Sequence, residues 1–172
     1  ADVWAARADF AKDHPEVVVA WVRDHLPGAS RERRALLRHA SRTLIKQGHP
    51  AMLALWGTAA PLDGTVRLGL SPRRLRVGDD FTITLTLHSR SAQAQALLID
   101  YAVHHVKADG RHSAKVFKGW SLTLAPHETR TLQKTHSMRA VTTRRYHAGR
   151  HLVDVRVNGA AVAEAAFSLL LD

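Results

Sequence analysis

The first third of the chain holds six carboxylates: Asp2, Asp9, Asp13, Glu16, Asp24 and Glu32. Asp9 and Asp13 are four residues apart and share one face of a predicted helix. Paired carboxylates can stabilise a cation that develops in a transition state. A plain solvated helix surface is the other reading of the same pair. Twelve histidines raise the question of a metal. His104 and His105 are adjacent, so on a strand they point to opposite faces and cannot readily hold one ion. His147 and His151 have no acid beside them in sequence. No H-E-x-x-H, Cys-His, G-x-S-x-G or Gly-rich phosphate-loop pattern occurs, so no metal, no cofactor and no independent hydrolase is expected. The histidines instead add positive charge below their usual pKa of about 6.5.

Charge is the stronger signal. The formal net charge is +10 over 172 residues, which favours an anionic partner. It is blocked rather than spread: between residues 101 and 151, 10 basic residues face only Asp109 and Glu128. Three segments stand out. Arg34, Arg38, Arg42 and Lys46 recur every four residues on a predicted helix, a slowly drifting stripe that can follow a phosphate backbone. A solvated face without a partner is the alternative. The run TTRRYHAGRH (142–151) combines Thr142, Thr143, Arg144, Arg145, Tyr146 and Arg150 with Gly149. Arg and Thr bind phosphate oxygens, Tyr can lie against a sugar or base, and such a loop can enter a minor groove. An edge turn whose charges prevent sheet-to-sheet pairing is the alternative. The third is the hairpin segment with Lys107, Arg111, Lys115 and Lys118, which also reads as an ordinary solvated hairpin.

Two kinds of element must position these residues. Over 1–57, apolar residues recur at spacings of three and four, predicting helices over 2–12, from Pro15 to about Leu26, over 31–47, and a short one after His49-Pro50. Val18, Trp21, Val22 and Leu26 form the inner face of the second, and Leu37, Ala40 and Leu44 that of the third. Pro15 suits a first helical position, Ser30 an N-cap, and Gly48 a helix end. Short helices joined by tight turns suggest the end of a helical repeat array. The stretch 58–64, TAAPLDG, reads as a linker. From 65 the period changes to two. FTITLTL (81–87) is the clearest strand, with others at 65–70, 73–77, 96–107, 114–124, 129–139, 151–157 and 161–171. Asn158-Gly159 is a hairpin turn signal, and Asp109-Gly110 sits in a similar place. The fold class is therefore α+β in two segregated parts: a helical segment, then an immunoglobulin-like β-sandwich over 65–172.

Apolar residues make up 45% of the chain, enough for a core, which excludes a disordered basic tail. There are no cysteines, so disulfide frameworks and thiolate chemistry are excluded and a reducing cytoplasm suits the chain. No apolar run approaches the roughly 18 residues of a membrane span, and the start, ADVWAARADF, lacks a signal-peptide pattern. It also lacks Met, as expected of a piece of a longer protein. The chain is read as a monomer.

DYAVHHVKADGRHSAKVFKGWSLTLAP (100–126) and TTRRYHAGRHLVDVRVNG (142–159), with KDHPEVVVAWV (12–22) and RHASRTLIKQGHPAMLALWG (38–57), together resemble the bacterial DNA alkylation repair glycosylases built from HEAT-like repeats. The similarity is to the AlkC-type branch, which carries an immunoglobulin-like domain after the repeats. The resemblance implies that the chain is the C-terminal part of such an enzyme, with duplex DNA carrying alkylated bases as its partner. It also implies that most catalytic carboxylates lie in repeats upstream of Ala1, so that this part alone is inactive. Asp9 matches the family aspartate, with Ala8 where the family carries Asn. An immunoglobulin-like protein-interaction module without enzymatic role is the competing expectation.

Overall fold

The computed structural model describes residues 8–171, with side chains from residue 10 onward. It divides into two compact units, the first ending at Ala60 and the second beginning at Pro61.

The first unit contains α1 (Ala8–Asp13), α2 (Pro15–His25), α3 (Arg31–Lys46) and α4 (Pro50–Leu55). Pro15 and Pro50 occupy first-turn positions, where a missing N–H costs nothing. Ser30 caps α3, its hydroxyl oxygen accepting from the Arg33 amide at 3.2 Å. Gly28 and Gly48 follow α2 and α3 with φ of 66° and 70°, the left-handed conformation that ends helices. Val18, Val22, Leu37, Ala40, Leu44, Ile45, Met52 and Leu53 are buried. Trp21 and Leu26 are only half-buried, unlike the sequence expectation. Trp21 instead lies along the helix surface against the His25 ring, whose Nδ1 meets the Trp21 carbonyl oxygen at 2.8 Å. The segment after α4 is tied at its start: Thr58 is buried and its amide donates to the Leu53 carbonyl at 2.9 Å.

The second unit is a two-sheet sandwich. Its strands are β1 (Gly64–Ser71), β2 (Arg74–Arg76), β3 (Asp80–Ser89), β4 (Gln95–Val106), β5 (His112–Leu124), β6 (Thr129–Ser137), β7 (Gly149–Val157) and β8 (Ala160–Leu170). One sheet runs β1-β3-β6 and the other β2-β8-β7-β4-β5. All pairs are antiparallel except β2 with β8. Inner-face residues of both sheets form the core, with Phe81, Ile83, Leu85 and Leu87 from β3 meeting Ile99, Tyr101, Val103, Val153, Val155 and Phe167. The alternation of β3 is the cause: its threonines stay half-exposed while every second residue is buried. Asn158 and Gly159, at φ 50° and 86°, turn β7 into β8. The run 142–151 is not one loop. β7 begins at Gly149, so Arg150 and His151 are strand residues.

A bulge interrupts the β4–β5 pairing between Ile99 and Asp100, and Gly119 sits opposite it. A Cβ at 119 would stand 2.5 Å from the Ile99 carbonyl oxygen, so only glycine lets the two strands close there. Gly119→Ala is expected to destabilise the chain by about 1–3 kcal/mol in urea unfolding, the usual cost of overpacking a rigid site. Wild-type stability in that variant would show that the strands have room to part.

Candidate nucleic-acid interface

On the helical unit, the cationic stripe is built around an indole. The guanidinium carbons of Arg34 and Arg38 lie 5.6 and 4.6 Å from the centre of the Trp56 ring. Such stacking holds a guanidinium flat and leaves its N–H edge directed outward. Trp56 is itself fixed, because its Nε1–H donates to Ser41 Oγ at 2.9 Å and the Ser41 hydroxyl donates to the Leu37 carbonyl at 2.8 Å. Arg31, Arg34, Ala35, Arg38 and Trp56 line an open groove of about 410 Å³. Arg42 is exposed further along the helix and Lys46 is half-buried. Arg31 and Trp56 were not among the sequence candidates. Arg31 lies three residues before Arg34 and so falls on a neighbouring position of the same helix face, but nothing local marks Trp56 as the platform of the stripe.

On the sandwich, a second cationic region surrounds the connection 138–148 from β6 to β7, which crosses from one sheet to the other. Its side chains differ in exposure. Arg144 and Tyr146 are half-buried, whereas Thr142, Thr143 and Arg145 are exposed. Arg144 Nη1 donates to Nε2 of His105 at 2.8 Å. The Tyr146 ring stacks on the His105 ring, centroids 5.6 Å apart, and its hydroxyl donates to the Arg139 carbonyl at 3.1 Å. His105 lies on the inner face of β4 and His104 on the outer, as their adjacency requires. His104 Nε2 meets Asp154 Oδ2 at 2.5 Å, and Arg156 Nε donates to the other oxygen at 2.8 Å. Burial raises the Asp154 carboxyl, but the Arg156 and His104 bonds outweigh it and hold the group below its ordinary range.

The inner histidines are kept neutral. Burial lowers His105 to about 3, helped by Arg144, His151, His136 and Lys115. Burial also lowers His136 to about 4, with Lys115 and Arg144 adding to it and Asp80 opposing. Lys115 stands opposite Val103 on β4, two residues from His105, the acceptor of Arg144, so the β5 lysine and the connection arginine lie at one end of the sandwich, although 29 positions separate them. His136 Nδ1 meets the Tyr101 hydroxyl at 2.8 Å, and burial pushes that phenol up to about 12.

The remaining candidates scatter. Lys107 is exposed in the β4–β5 turn. Arg111 Nε donates to Asp109 Oδ2 at 2.7 Å, so part of the hairpin charge is neutralised locally. Lys115 lies 5.2 Å from the Phe117 ring centre, and Lys118 stands opposite Asp100 on β4. Because side chains alternate along β5, Lys115 and Lys118 face opposite sides of the sheet. Arg150 is exposed on β7, and its carbonyl accepts from His112 Nε2 at 2.9 Å. Asp9 falls within α1, but its side chain lies outside the described residues. Among the described residues no three His, Cys, Asp or Glu side chains converge as for a metal ion, and no helix is long and apolar enough to cross a membrane.

The depressed imidazoles carry a stability consequence. Above pH 6.5 both folded and unfolded chains hold these groups neutral. Below it the unfolded chain takes up protons first, so stability falls until the folded values near 4 and 3 are passed. Between pH 7 and pH 5 the loss should be about 1–2 kcal/mol per histidine in urea unfolding. The arginine-bonded carboxylates Asp154 and Glu128 are lowered and stay ionised across that window, so their contribution does not move. Equal stability at pH 7 and pH 5 would mean that the inner histidines titrate normally.

Residues 65–171 match the family described as uncharacterised protein YhaZ, C-terminal Ig-like domain. The chain is 32% identical to the uncharacterised protein YhaZ of Bacillus subtilis (strain 168) over 88% of its own length and 42% of that protein. Among solved structures it is similar to the alkylpurine DNA glycosylase AlkC of Pseudomonas fluorescens, bound to DNA containing an abasic site analog. That match has a TM-score of 0.86 and 34% identity, and covers 95% of this chain and 45% of that one. The chain thus spans less than half the length of either relative. A β-glucosidase from Listeria innocua matches at TM-score 0.51 and 18% identity, over 62% of this chain and 16% of the other, a likeness of fold alone. The family match covers more than half of the residues, and the chain belongs to the family of the YhaZ C-terminal Ig-like domain.

Proposed function

We propose that this chain is the DNA-binding C-terminal part of a DNA alkylation repair glycosylase. Residues 1–57 close an array of HEAT-like repeats, 58–64 link them to the rest, and 65–172 form an immunoglobulin-like domain that adds backbone contacts. The observation that carries the reading is the similarity, over nearly the whole chain, to a glycosylase held on DNA. The charge pattern supports it independently, because the exposed cations cluster where carboxylates are few. The enzyme would act as a cytoplasmic monomer on duplex DNA with alkylated bases.

The chemistry divides between parts of the whole protein. Alkylation places positive charge on a base and makes it a better leaving group. Hydrolysis of its N-glycosidic bond then develops oxocarbenium character on the sugar. A nearby carboxylate stabilises that charge and can orient the water. Asp9 is the candidate on this chain, and the carboxylates expected upstream complete the cleft. Arginine cannot do this work. Arg34 and Arg38 on their Trp56 platform, Arg31 lining the groove beside them, Arg42 and Lys46 along the same helix, and Lys107, Lys115, Lys118, Arg145 and Arg150 on the sandwich hold phosphates instead. Thr142 and Thr143 offer hydroxyls beside Arg145, while Arg144 and Tyr146 serve the interface from inside.

Binding of this chain to any duplex should weaken with rising salt, with log affinity falling by about 0.9 per neutralised phosphate for each unit of log salt. Arg145→Ala with Arg150→Ala should lower affinity and reduce that slope by about one unit per lost contact. Folding should change little, since exposed ion pairs contribute about 0–1 kcal/mol. Unchanged affinity and slope in the folded double variant would remove this edge of the sandwich from the interface. An apolar protein interface would show almost no salt slope. The purified chain should release no methylated base from duplex DNA. Release that disappears in Asp9→Asn would place the active site within these residues.

A further inference from the structure

The connection 138–148 has little backbone bonding to fix its shape. Met138 is held at the start of the segment, its amide donating to the Asp79 carbonyl at 2.9 Å and its carbonyl accepting from the Gly78 amide at 3.0 Å, but beyond it the Arg144 amide reaches the Val141 carbonyl only at 3.4 Å. Its middle is tied by side chains, and two of these ties end on one residue. His105 accepts from Arg144 and lies beneath Tyr146. It is 3% exposed and stands on β4, paired with Ser113 of β5 and one residue beyond the last β7 pair at His104, so it offers a rigid anchor. His105 Nε2 accepts, so the ring proton sits on Nδ1, and that buried atom has no hydrogen-bond partner. Leaving a buried N–H unsatisfied is costly. An apolar ring in this slot would avoid the cost and still stack with Tyr146. What it would lose is the acceptor for Arg144.

We propose that His105 is a positioning residue. By accepting from Arg144 and supporting Tyr146, it holds 139–148 in the shape that turns Arg144 inward and leaves Arg145, Thr142 and Thr143 outward as a preformed edge. The consequence for phosphate contact rests on the DNA-binding reading above; the positioning itself does not. A preformed edge binds without first being ordered, so its cations contribute more to affinity than the same residues on a mobile segment. The four cationic or titratable groups that face His105 are Arg144, His151, His136 and Lys115. None of these four is a carboxylate.

Three variants of the 172-residue chain test this. His105→Phe keeps a ring under Tyr146 and removes the acceptor. His105→Gln offers a carbonyl oxygen that can accept. Arg144→Met removes the donor from the connection and leaves the core untouched, so it remains informative if the phenylalanine variant folds poorly. Amide hydrogen exchange over 139–148 should speed up about tenfold or more in His105→Phe and in Arg144→Met, the scale of a lost charged hydrogen bond. It should stay within about threefold of the parent in His105→Gln. Parent-like exchange in folded His105→Phe or in Arg144→Met would overturn the assignment. So would equally fast exchange in the glutamine and phenylalanine variants, which would reduce His105 to packing. In duplex binding, Arg145→Ala should cost several-fold in the parent and almost nothing further in His105→Phe, a coupling of the kind seen between residues that act together. Faster exchange in both acceptor-loss and donor-loss variants, with no duplex binding by the parent chain, would support the positioning and overturn the DNA reading.

Discussion

The register of β4 is the constraint on which the sandwich depends. β4 is paired on both sides, and Leu97, Leu98, Ile99, Asp100, Tyr101, Ala102 and Val103 are all buried, so neither face is free to trade places with the other. A slip of one residue would send Tyr101, Val103 and His105 outward and bring Asp100 and His104 into the apolar core. Asn158 guards against that slip. Its Oδ1 accepts from the Leu98 amide at 2.8 Å, its Nδ2 donates to the Ala96 carbonyl at 3.2 Å, and its own amide donates to the Leu98 carbonyl at 2.9 Å. One turn residue thereby fixes where β7 and β8 lie against β4.

The few carboxylates of the sandwich are mostly engaged locally. Asp154 serves Arg156 and His104, Glu128 serves Arg130, Asp109 serves Arg111, and Asp63 lies within 4.0 Å of Arg90. Each of these pairs is close in sequence, on neighbouring strands or, for Asp63 and Arg90, just beyond the paired ends of β1 and β3. The excess charge therefore gathers around Lys115, Arg144 and Arg145, at the end of the sandwich where imidazoles rather than carboxylates line the interior. Those imidazoles can be buried because a neutral ring gives up far less solvation than an ionised carboxylate would.

Much of this architecture was legible in the sequence. The alternation of Phe81, Ile83, Leu85 and Leu87 marked β3, Asn158-Gly159 marked the last hairpin, and Ser30 and Pro15 marked helix starts. These signals are local, and the elements lie within a few residues of the expected positions. The candidate site was legible only as composition. Arg144, Arg145 and Tyr146 look equivalent along the chain, yet the acceptor that separates them lies 39 residues away on β4. Trp56 meets its arginines across the turn between α3 and α4, and no periodicity points there. Arg150 was read as part of a loop. It stands on a strand because Gly149, at φ 134° and with a Cβ that would come 3.4 Å from the Val106 side chain, turns the chain into β7.

The Asn158 clamp also orders events in time. Its bond to the Leu98 amide joins residues 60 positions apart. Closing such a separation carries an entropy cost that grows with the logarithm of its length, whereas the β7–β8 hairpin is local and can form within about 1–10 μs. The hairpin can therefore arrive with its turn, and the asparagine in it, already shaped. Docking of that preformed unit onto β4 is the non-local step, and topology makes such steps the slow ones. A chain emerging from the ribosome meets this step only after β4, β5 and β6 are already out, because β7 and β8 follow them in sequence.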